Sequence, residues 1–100
     1  WDRHALAVKW MRHNLSIPQP ISSLCDYLQI SEPTLQRVFA KKEGRSPLSV
    51  YLHLKAERSR KMLEEGLPVK EVAYLLGYRH ANDFSRFYRK QFGVTPGSIY

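Results

Sequence analysis

The fold of this chain is decided by one stretch, Ile21-Ser-Ser-Leu-Cys-Asp-Tyr-Leu28, which returns 48 residues later as Val69-Lys-Glu-Val-Ala-Tyr-Leu-Leu76. After one inserted residue, Leu35-Gln-Arg-Val-Phe39 returns 49 residues later as Phe84-Ser-Arg-Phe-Tyr88. Each copy has the pattern of a helix, a tight turn and a second helix. Two such units on a basic chain predict a protein that grips one extended polyanion at two places, which is typical of nucleic-acid binding.

The repeat continues outward into the residues that stop and start helices. A glycine that ends the second helix of each unit is followed by a Ser/Thr-Pro pair, which suits a cap and a first helical position. The echoed positions are Gly44, Ser46, Pro47, Ser49 and Tyr51 in the first unit and Gly93, Thr95, Pro96, Ser98 and Tyr100 in the second.

Caps, stops and the helical period predict an all-α fold of about seven helices, with two helix-turn-helix lobes joined by a long central helix. The second helix of each unit, which we call the reader helix, is the one expected to enter a groove of the nucleic acid. The buried apolar stripe is predicted to comprise Leu35, Val38 and Phe39 in the first reader helix and Phe84, Phe87 and Tyr88 in the second. The predicted helices run from a cap at Asp2 to about Asn14, from Ile21 to Leu28, from a cap at Ser31 to Gly44, from Pro47 to Glu65 with a stop at Gly66, from Val69 to about Leu76, from a start between His80 and Asn82 to Gly93, and through a short turn after Pro96.

The central helix sets the predicted organisation of the chain. Residues 1–100 are expected to form one DNA-binding domain, with lobe one at about 1–46, a linker helix at about 47–65 and lobe two at about 67–100. At about 1.5 Å per residue the linker would be a rod of roughly 28 Å. Since successive major grooves on one face of B-DNA lie about 34 Å apart, a rod of this length is suited to holding two readers in adjacent grooves.

Composition is consistent with a polyanionic partner. The chain has 16 Lys and Arg against 9 Asp and Glu, a net charge of +7, and the excess is spread over both halves. Solubility alone remains an alternative explanation of this charge. No apolar run approaches the roughly 20 residues of a membrane span, and none resembles a secretory signal, so a cytoplasmic protein without a membrane partner is expected.

Residues for catalysis or for metal binding are not found at usable spacings. There is one cysteine, Cys25, and the four histidines fall outside any close ligand spacing. No nucleophile-base pair, carboxylate dyad or glycine-rich phosphate loop is present. We therefore predict no enzyme activity, no metal and no cofactor. Cys25 aligns with Ala73 in the repeat, which favours a small buried core residue over a redox sensor.

A longer pattern runs through both units. Its positions are Ser31, Leu35, Arg37, Phe39, Gly44, Ser46, Pro47, Tyr51, Leu52, Val72, Ala73, Gly77, Tyr78, Phe84, Arg86, Tyr88, Arg89, Lys90, Gly93, Thr95 and Pro96. The part from Gly77-Tyr78 through Pro96 is the more specific. This pattern resembles that of the DNA-binding domains of the AraC/XylS family of bacterial transcription regulators. The resemblance implies two helix-turn-helix lobes bound to adjacent major grooves of one asymmetric duplex site.

The resemblance also implies a biological role and a larger protein. The family regulates promoters, most often by activating transcription through contact with RNA polymerase. Its members carry this domain behind an N-terminal effector or dimerisation domain, so the chain is expected to be a C-terminal fragment of a larger regulator. The family commonly has Arg at Lys55, Ala at Ser59 and a small polar or acidic residue at His80; the first two departures are expected to affect packing or phosphate contact.

Base-reading residues follow from the family positions that this chain matches. Arg37 and Arg86 have the fork that suits the O6 and N7 of guanine, although phosphate contact is an equal alternative. Gln36 and Asn82 suit the N6 and N7 of adenine. The full set is Pro33, Gln36 and Arg37 in the first reader and Ala81, Asn82, Ser85 and Arg86 in the second, with Pro33 and Ala81 limited to thymine methyl contact or to leaving room.

A second set of residues, toward the ends of the reader helices, is expected to contact the phosphates of the DNA backbone. These phosphate candidates are Ser31, Thr34, Lys41, Arg45, Arg89 and Lys90. For the four basic residues, simple exposure to solvent is the alternative to phosphate contact. Glu32 and Asp83 repel phosphates unless they face cytosine N4 or a neighbouring arginine, and the sequence leaves both options open.

The alternative function is a non-specific architectural or single-strand nucleic-acid binder. It accounts for the same charge but does not require two reader helices with different outward residues.

Overall fold

The computed structural model describes residues 2–17 and 19–99, with the backbone alone at 98 and 99. The repeat positions Tyr100 and the Ser98 side chain therefore lie outside the described residues. The helices are α1 (Arg3–His13), α2 (Ile21–Leu28), α3 (Glu32–Glu43), α4 (Pro47–Glu64), α5 (Val69–Leu75), α6 (Ala81–Phe92) and a final 3-10 helix (Pro96–Ile99). No strand occurs among the described residues, and the predicted all-α fold of about seven helices is confirmed.

Side-chain caps place the starts of three helices where the sequence predicts them. The Asp2 carboxylate accepts hydrogen bonds from the backbone N–H groups of His4 and Ala5, at 3.0 and 3.2 Å. Ser31 Oγ accepts from the Thr34 N–H at 3.3 Å, and Ser46 Oγ accepts from the Ser49 N–H at 3.1 Å. These bonds satisfy amides that would otherwise lack a partner in the first turn.

Left-handed residues follow both reader helices and also lie in the turns before them. Gly44 and Gly93 follow α3 and α6 with φ of 72° and 77°. Between α5 and α6 the turn has Gly77 at φ 87°, whereas the matching turn between α2 and α3 has Gln29 at φ 56°. Gln29 is the one residue other than glycine with a positive φ in the described part of the chain, so the first turn holds a conformation that costs an ordinary side chain energy.

The described residues form two compact units, and the boundary between Leu54 and Lys55 lies within α4. In the first unit, Leu35 and Phe39 of α3 are fully buried and Val38 packs at the edge. The Tyr51 hydroxyl donates to the Asn14 carbonyl and accepts from the Gln19 N–H, which ties α4 to the segment after α1. The buried set of this unit is Ala7, Met11, Leu15, Leu24, Cys25, Leu35, Phe39, Val50 and Tyr51.

The second unit is built around aromatic residues. Phe84 and Tyr88 of α6 are buried and pack edge to face, with ring centroids 5.9 Å apart. Phe92 continues the row at 4.7 Å from Tyr88, while Phe87 packs at the edge of the core. The buried set is Leu63, Val72, Ala73, Leu76, Phe84 and Tyr88. In both units the second helix of the helix-turn-helix rests on its core by the stripe that the sequence predicts.

Candidate nucleic-acid interface

The outer face of α3 carries the first predicted set of base readers. Pro33, Gln36 and Arg37 are exposed, while Leu35 and Phe39 on the opposite face have no exposed surface. Residues three and four apart share a helix face, so the burial of this stripe leaves the polar positions directed outward. The structure thus presents all three predicted readers of the first lobe on the surface.

Hydroxyl groups at the start of α3 hold one of these readers. Ser31 Oγ and Thr34 Oγ1 lie 2.9 Å apart, and the Arg37 Nη2 group donates to Thr34 Oγ1 at 3.3 Å. Ser31 is engaged as a cap in the unbound chain, and Thr34 is the acceptor that orients the guanidinium. The phosphate role assigned to these two hydroxyls stays a prediction.

The outer face of α6 carries the second set. Asn82 and Arg86 are exposed, and Ala81 and Ser85 are half-buried, while Phe84 and Tyr88 form the inner stripe. His80 occupies the N-cap position and makes no side-chain cap bond, in contrast to Ser31 at the start of α3. The helix begins at Ala81, within the predicted interval.

The carboxylate of Asp83 is paired with a reader arginine. Arg86 Nη2 lies 3.3 Å from Asp83 Oδ1, and the two side chains are 80% and 50% exposed. Of the two options left open by the sequence for Asp83, the unbound chain adopts the neighbouring arginine. The spacing equals that of Arg37 and Thr34, so both reader arginines are held by the residue three positions earlier, once by a hydroxyl and once by a carboxylate.

The charged phosphate candidates lie at the ends of the reader helices. Lys41 is in the last turn of α3, Arg89 and Lys90 are in the last turn of α6, and Arg45 follows Gly44. All four are exposed. Basic groups at a helix C-terminus interact favourably with the helix dipole, so these positions also have a structural reason to be basic.

A basic cleft in the second unit was not predicted from the sequence. It has a volume of about 370 Å³ and is lined by Lys70, Tyr74, Arg79, His80 and Asn82, with Ala73, Tyr78 and Ala81. Lys70 lies in the first turn of α5, and Arg79 and His80 immediately precede α6. The repeat gives no indication of this cleft, because the counterpart of Lys70 in the first unit is Ser22, which is not basic. The signal in the sequence was the Arg79-His80 pair directly before a reader helix.

Two departures from the family pattern contribute to packing. Ser59 has no exposed surface, and its hydroxyl donates to the Ala56 carbonyl at 2.6 Å. Lys55 is 8% exposed, and its ammonium lies over an aromatic ring, that of Tyr78. Of the two expected effects, packing or phosphate contact, the structure supports packing at both positions.

Cys25 is buried in the first core, as predicted. Burial raises the pKa of its thiol, and the nearby charges of Glu32 and Asp26 raise the pKa further. A sensor thiol needs the opposite, an accessible sulfur with a lowered pKa.

None of the helices in residues 2–17 and 19–99 combines the length and the apolar character needed to cross a bilayer. The same residues contain no group of three or more His, Cys, Asp or Glu side chains placed to hold a metal ion.

A family model described as a helix-turn-helix domain matches residues 24–99, which span both reader helices. Solved AraC-type DNA-binding domains share the fold over nearly the whole chain. The chain belongs to the AraC-type helix-turn-helix family. One of these structures, a transcriptional regulator from Chromobacterium violaceum, is 26% identical with a TM-score of 0.86, over 97% of this chain and 88% of that one.

Another AraC-type relative was solved with its DNA. The DNA-binding domain of AdpA, a global transcriptional factor in complex with a target DNA, is 25% identical with a TM-score of 0.85, over 98% of this chain and 89% of that one. Among curated relatives, the regulator GbdR of Pseudomonas aeruginosa is 34% identical over 90 residues, 89% of this chain and 24% of its own length. The regulator ArgR of the same species is 31% identical over 91 residues, 90% of this chain and 28% of its own. The chain thus spans about a quarter of the length of these two HTH-type regulators.

Proposed function

We propose that this AraC-type chain binds duplex DNA sequence-specifically, with α3 and α6 reading two adjacent major grooves of one asymmetric site. The observation that carries the proposal is the difference between the two outer faces above two similar inner stripes. Gln36 and Arg37 stand on one face, and Asn82 and Arg86 on the other. All four have the donor geometry that suits purine edges in the major groove. AdpA, which has the same fold, binds a target DNA.

Selection from random duplexes tests this proposal. The unaltered chain should enrich one site with two blocks of preferred bases about 10 base pairs apart. Gln36→Ala should relax preference in one block and Asn82→Ala in the other, each at a cost of about 1–3 kcal/mol at its own base pairs. Arg89→Ala is the matched control on α6, because loss of a phosphate contact weakens all duplexes alike.

The opposite results have a clear meaning. Enrichment of no sequence by the unaltered chain would indicate the non-specific architectural function. Tighter binding of single strands than of duplexes would indicate a single-strand binder. Either result would overturn the proposed function.

The basic cleft beside α6 adds a proposed contact with the sugar-phosphate backbone of the DNA. Lys70, Arg79 and His80 surround the start of the helix whose next residues include Asn82. A phosphate close to the bases read by Asn82 would meet two permanent cations there. Replacing Lys70 with Gln should reduce the slope of log K against log salt by about 0.9 and leave the selected sequence unchanged. An altered base preference would instead make Lys70 a reader.

We also infer a regulatory role within a longer protein. The matched relatives are transcription regulators roughly three to four times the length of this chain, and one relative is named a transcriptional activator, RhaS of Escherichia coli. By this proposal the chain is the DNA-binding part of a bacterial cytoplasmic regulator, with an N-terminal effector or dimerisation domain, and it activates promoters by contact with RNA polymerase. Transcription in vitro from a promoter carrying the selected site, with and without the chain, tests the sign of regulation.

A further inference from the structure

A buried lysine in the second unit takes no part in the proposed DNA contacts. Lys55 lies in the third turn of α4 and is 8% exposed. Its Nζ atom is 4.4 Å from the centroid of the Tyr78 ring and 5.7 Å from that of Phe87. Both distances are within the roughly 6 Å over which a ring face attracts a cation. Burial lowers the pKa of the Lys55 ammonium, as expected for a charge that has lost water.

The rings that receive this charge are part of the support of α6. Tyr78 lies three residues before the helix, and its ring centroid is 5.7 Å from that of Phe84 and 5.9 Å from that of Phe87. Phe84 and Phe87 belong to the inner side of the helix whose outer side presents Asn82 and Arg86. A displacement of the Tyr78 ring would therefore be passed to the first two turns of α6, because packed aromatic rings interdigitate with few voids.

The turn of the first lobe has an aliphatic residue in place of the ring. At the offset of 48 residues, Ile30 stands where the second lobe has Tyr78, and it packs against the first core. The contact of Lys55 with the ring of this turn is therefore a feature of the second lobe.

We infer that Lys55 is a positioning residue for DNA recognition, and that its cation over the Tyr78 ring fixes the angle at which α6 presents Asn82 and Arg86. An apolar side chain of the same length fills the space equally well but lacks the attraction to the ring face, so it does not hold the ring in one place. This inference rests on the proposed function, since it concerns the reading of bases.

Three variants of the whole chain test it. Lys55→Met keeps an unbranched side chain, one atom shorter, and removes the charge, whereas Lys55→Arg keeps a cation that stacks on aromatic rings. Ser59→Ala is the matched control, because Ser59 is buried one turn further along α4 and its hydroxyl bonds only within that helix. Should Lys55→Met fail to fold, Tyr78→Leu removes the same contact from the ring side.

The first readout is made without DNA, by amide hydrogen exchange. In Lys55→Met the amides of α6 should exchange at least about fivefold faster while those of α3 stay unchanged, and Lys55→Arg and Ser59→Ala should both match the unaltered chain. Unchanged exchange in α6 would overturn the inference. This readout does not depend on sequence-specific binding, so a failure of the proposed function would be recognised separately.

The second readout is base preference, from selection on random duplexes. Lys55→Met should lower the preference in the Asn82 block by about tenfold, the effect expected of a desolvated cation-ring contact, and leave the Gln36 block unchanged. Lys55→Arg should keep the preference within about twofold of that of the unaltered chain. Equal weakening of both blocks, or no rescue by arginine, would assign Lys55 to general stability and overturn the inference.

Discussion

At the scale of single residues, the two reader arginines differ in what holds them before DNA arrives. Arg37 donates to the neutral hydroxyl of Thr34, and Arg86 is paired with the carboxylate of Asp83. An exposed ion pair is worth at most about 1 kcal/mol, so DNA is able to break it. The carboxylate nevertheless adds a negative charge at the surface that must approach phosphates, which the hydroxyl does not.

We expect Asp83→Asn to bind unrelated duplexes more tightly, because one repulsive charge is removed and Arg86 becomes free to reach phosphates. The gain should be about two- to fivefold, the size of an exposed charge interaction. Discrimination between the selected site and a scrambled one should fall accordingly. Affinities for both duplexes at one salt concentration measure this, with Glu71→Gln, an exposed acid on α5, as the control for net charge. Equal gains from both variants would mean that only total charge matters.

A second expectation at this scale concerns alkaline stability. Burial, helped by the charge of Asp83, raises the pKa of the Tyr78 phenol from 10.0 to about 12. In this window the folded chain keeps a proton that the unfolded chain has lost, so stability present below pH 10.0 declines as the pH rises toward 12. With allowance for the partial solvent contact of the ring, the loss should be about 1–2 kcal/mol.

Tyr78→Phe provides the comparison, because it keeps the ring beneath Lys55 and removes the titrating group. Lys55 has a lowered pKa, so its contribution to stability has the opposite sign and increases as the pH rises toward 10.5. That contribution is common to both proteins and cancels in the difference. Urea unfolding at several pH values between 9 and 12 gives the two slopes; parallel curves would contradict the assignment to Tyr78.

At the scale of elements, the turns that join the paired helices follow the same design with different residues. Gln29 and Gly77 both adopt the left-handed conformation, but only glycine does so without steric cost. The left-handed region costs an ordinary residue about 1–2 kcal/mol, and glycine loses about 0.5–1 kcal/mol through its greater freedom in the unfolded chain. The two turns therefore differ in strain although both are closed by equivalent backbone hydrogen bonds.

Gln29→Gly should consequently raise the free energy of unfolding by about 0.5–1 kcal/mol. Gly77→Ala, the reciprocal change in the other turn, should lower it by about 1 kcal/mol or more. Urea denaturation monitored by circular dichroism measures both values. A destabilised Gln29→Gly variant would show that the Gln29 side chain contributes more through its contacts than its backbone costs.

The elements also show which features can be read from sequence. The N-cap of α3 at Ser31 and its C-cap at Gly44 were predictable, because caps and left-handed stops depend on local chemistry. The outward set on α6 followed from the burial of Phe84 and Tyr88. The burial of Lys55 was not predictable, since it depends on rings 23 and 32 residues away that meet only in the folded unit. The cleft at Lys70 was missed for a similar reason, because it joins the start of α5 to the residues before α6.

At the scale of the whole molecule, the even spread of positive charge gives an expectation for salt. If both lobes together engage about 6–10 phosphates, log K should fall with log salt at a slope of about −5 to −9. Lys41→Gln combined with Arg45→Gln should reduce the slope by about 2 in the first lobe, and Arg89→Gln combined with Lys90→Gln should do the same in the second. Titration of the selected duplex with fluorescence anisotropy measures all three slopes. An effect of one pair alone would mean that a single lobe contacts DNA.

The pairing of Arg86 with Asp83 has a consequence for the order of events on DNA. On a non-target duplex only phosphates compete with Asp83 for the Arg86 guanidinium, so the pair is broken for part of the time and α6 adds less to residence time than on the target. Arg37, held by a hydroxyl, exchanges partners without separating charges. We therefore expect the first lobe to bind DNA first and to slide along it. The second lobe should bind tightly only where a guanine displaces the Asp83 carboxylate from Arg86. In that case α3 would determine how fast the molecule diffuses along DNA, and α6 would determine how long it stays at a given site.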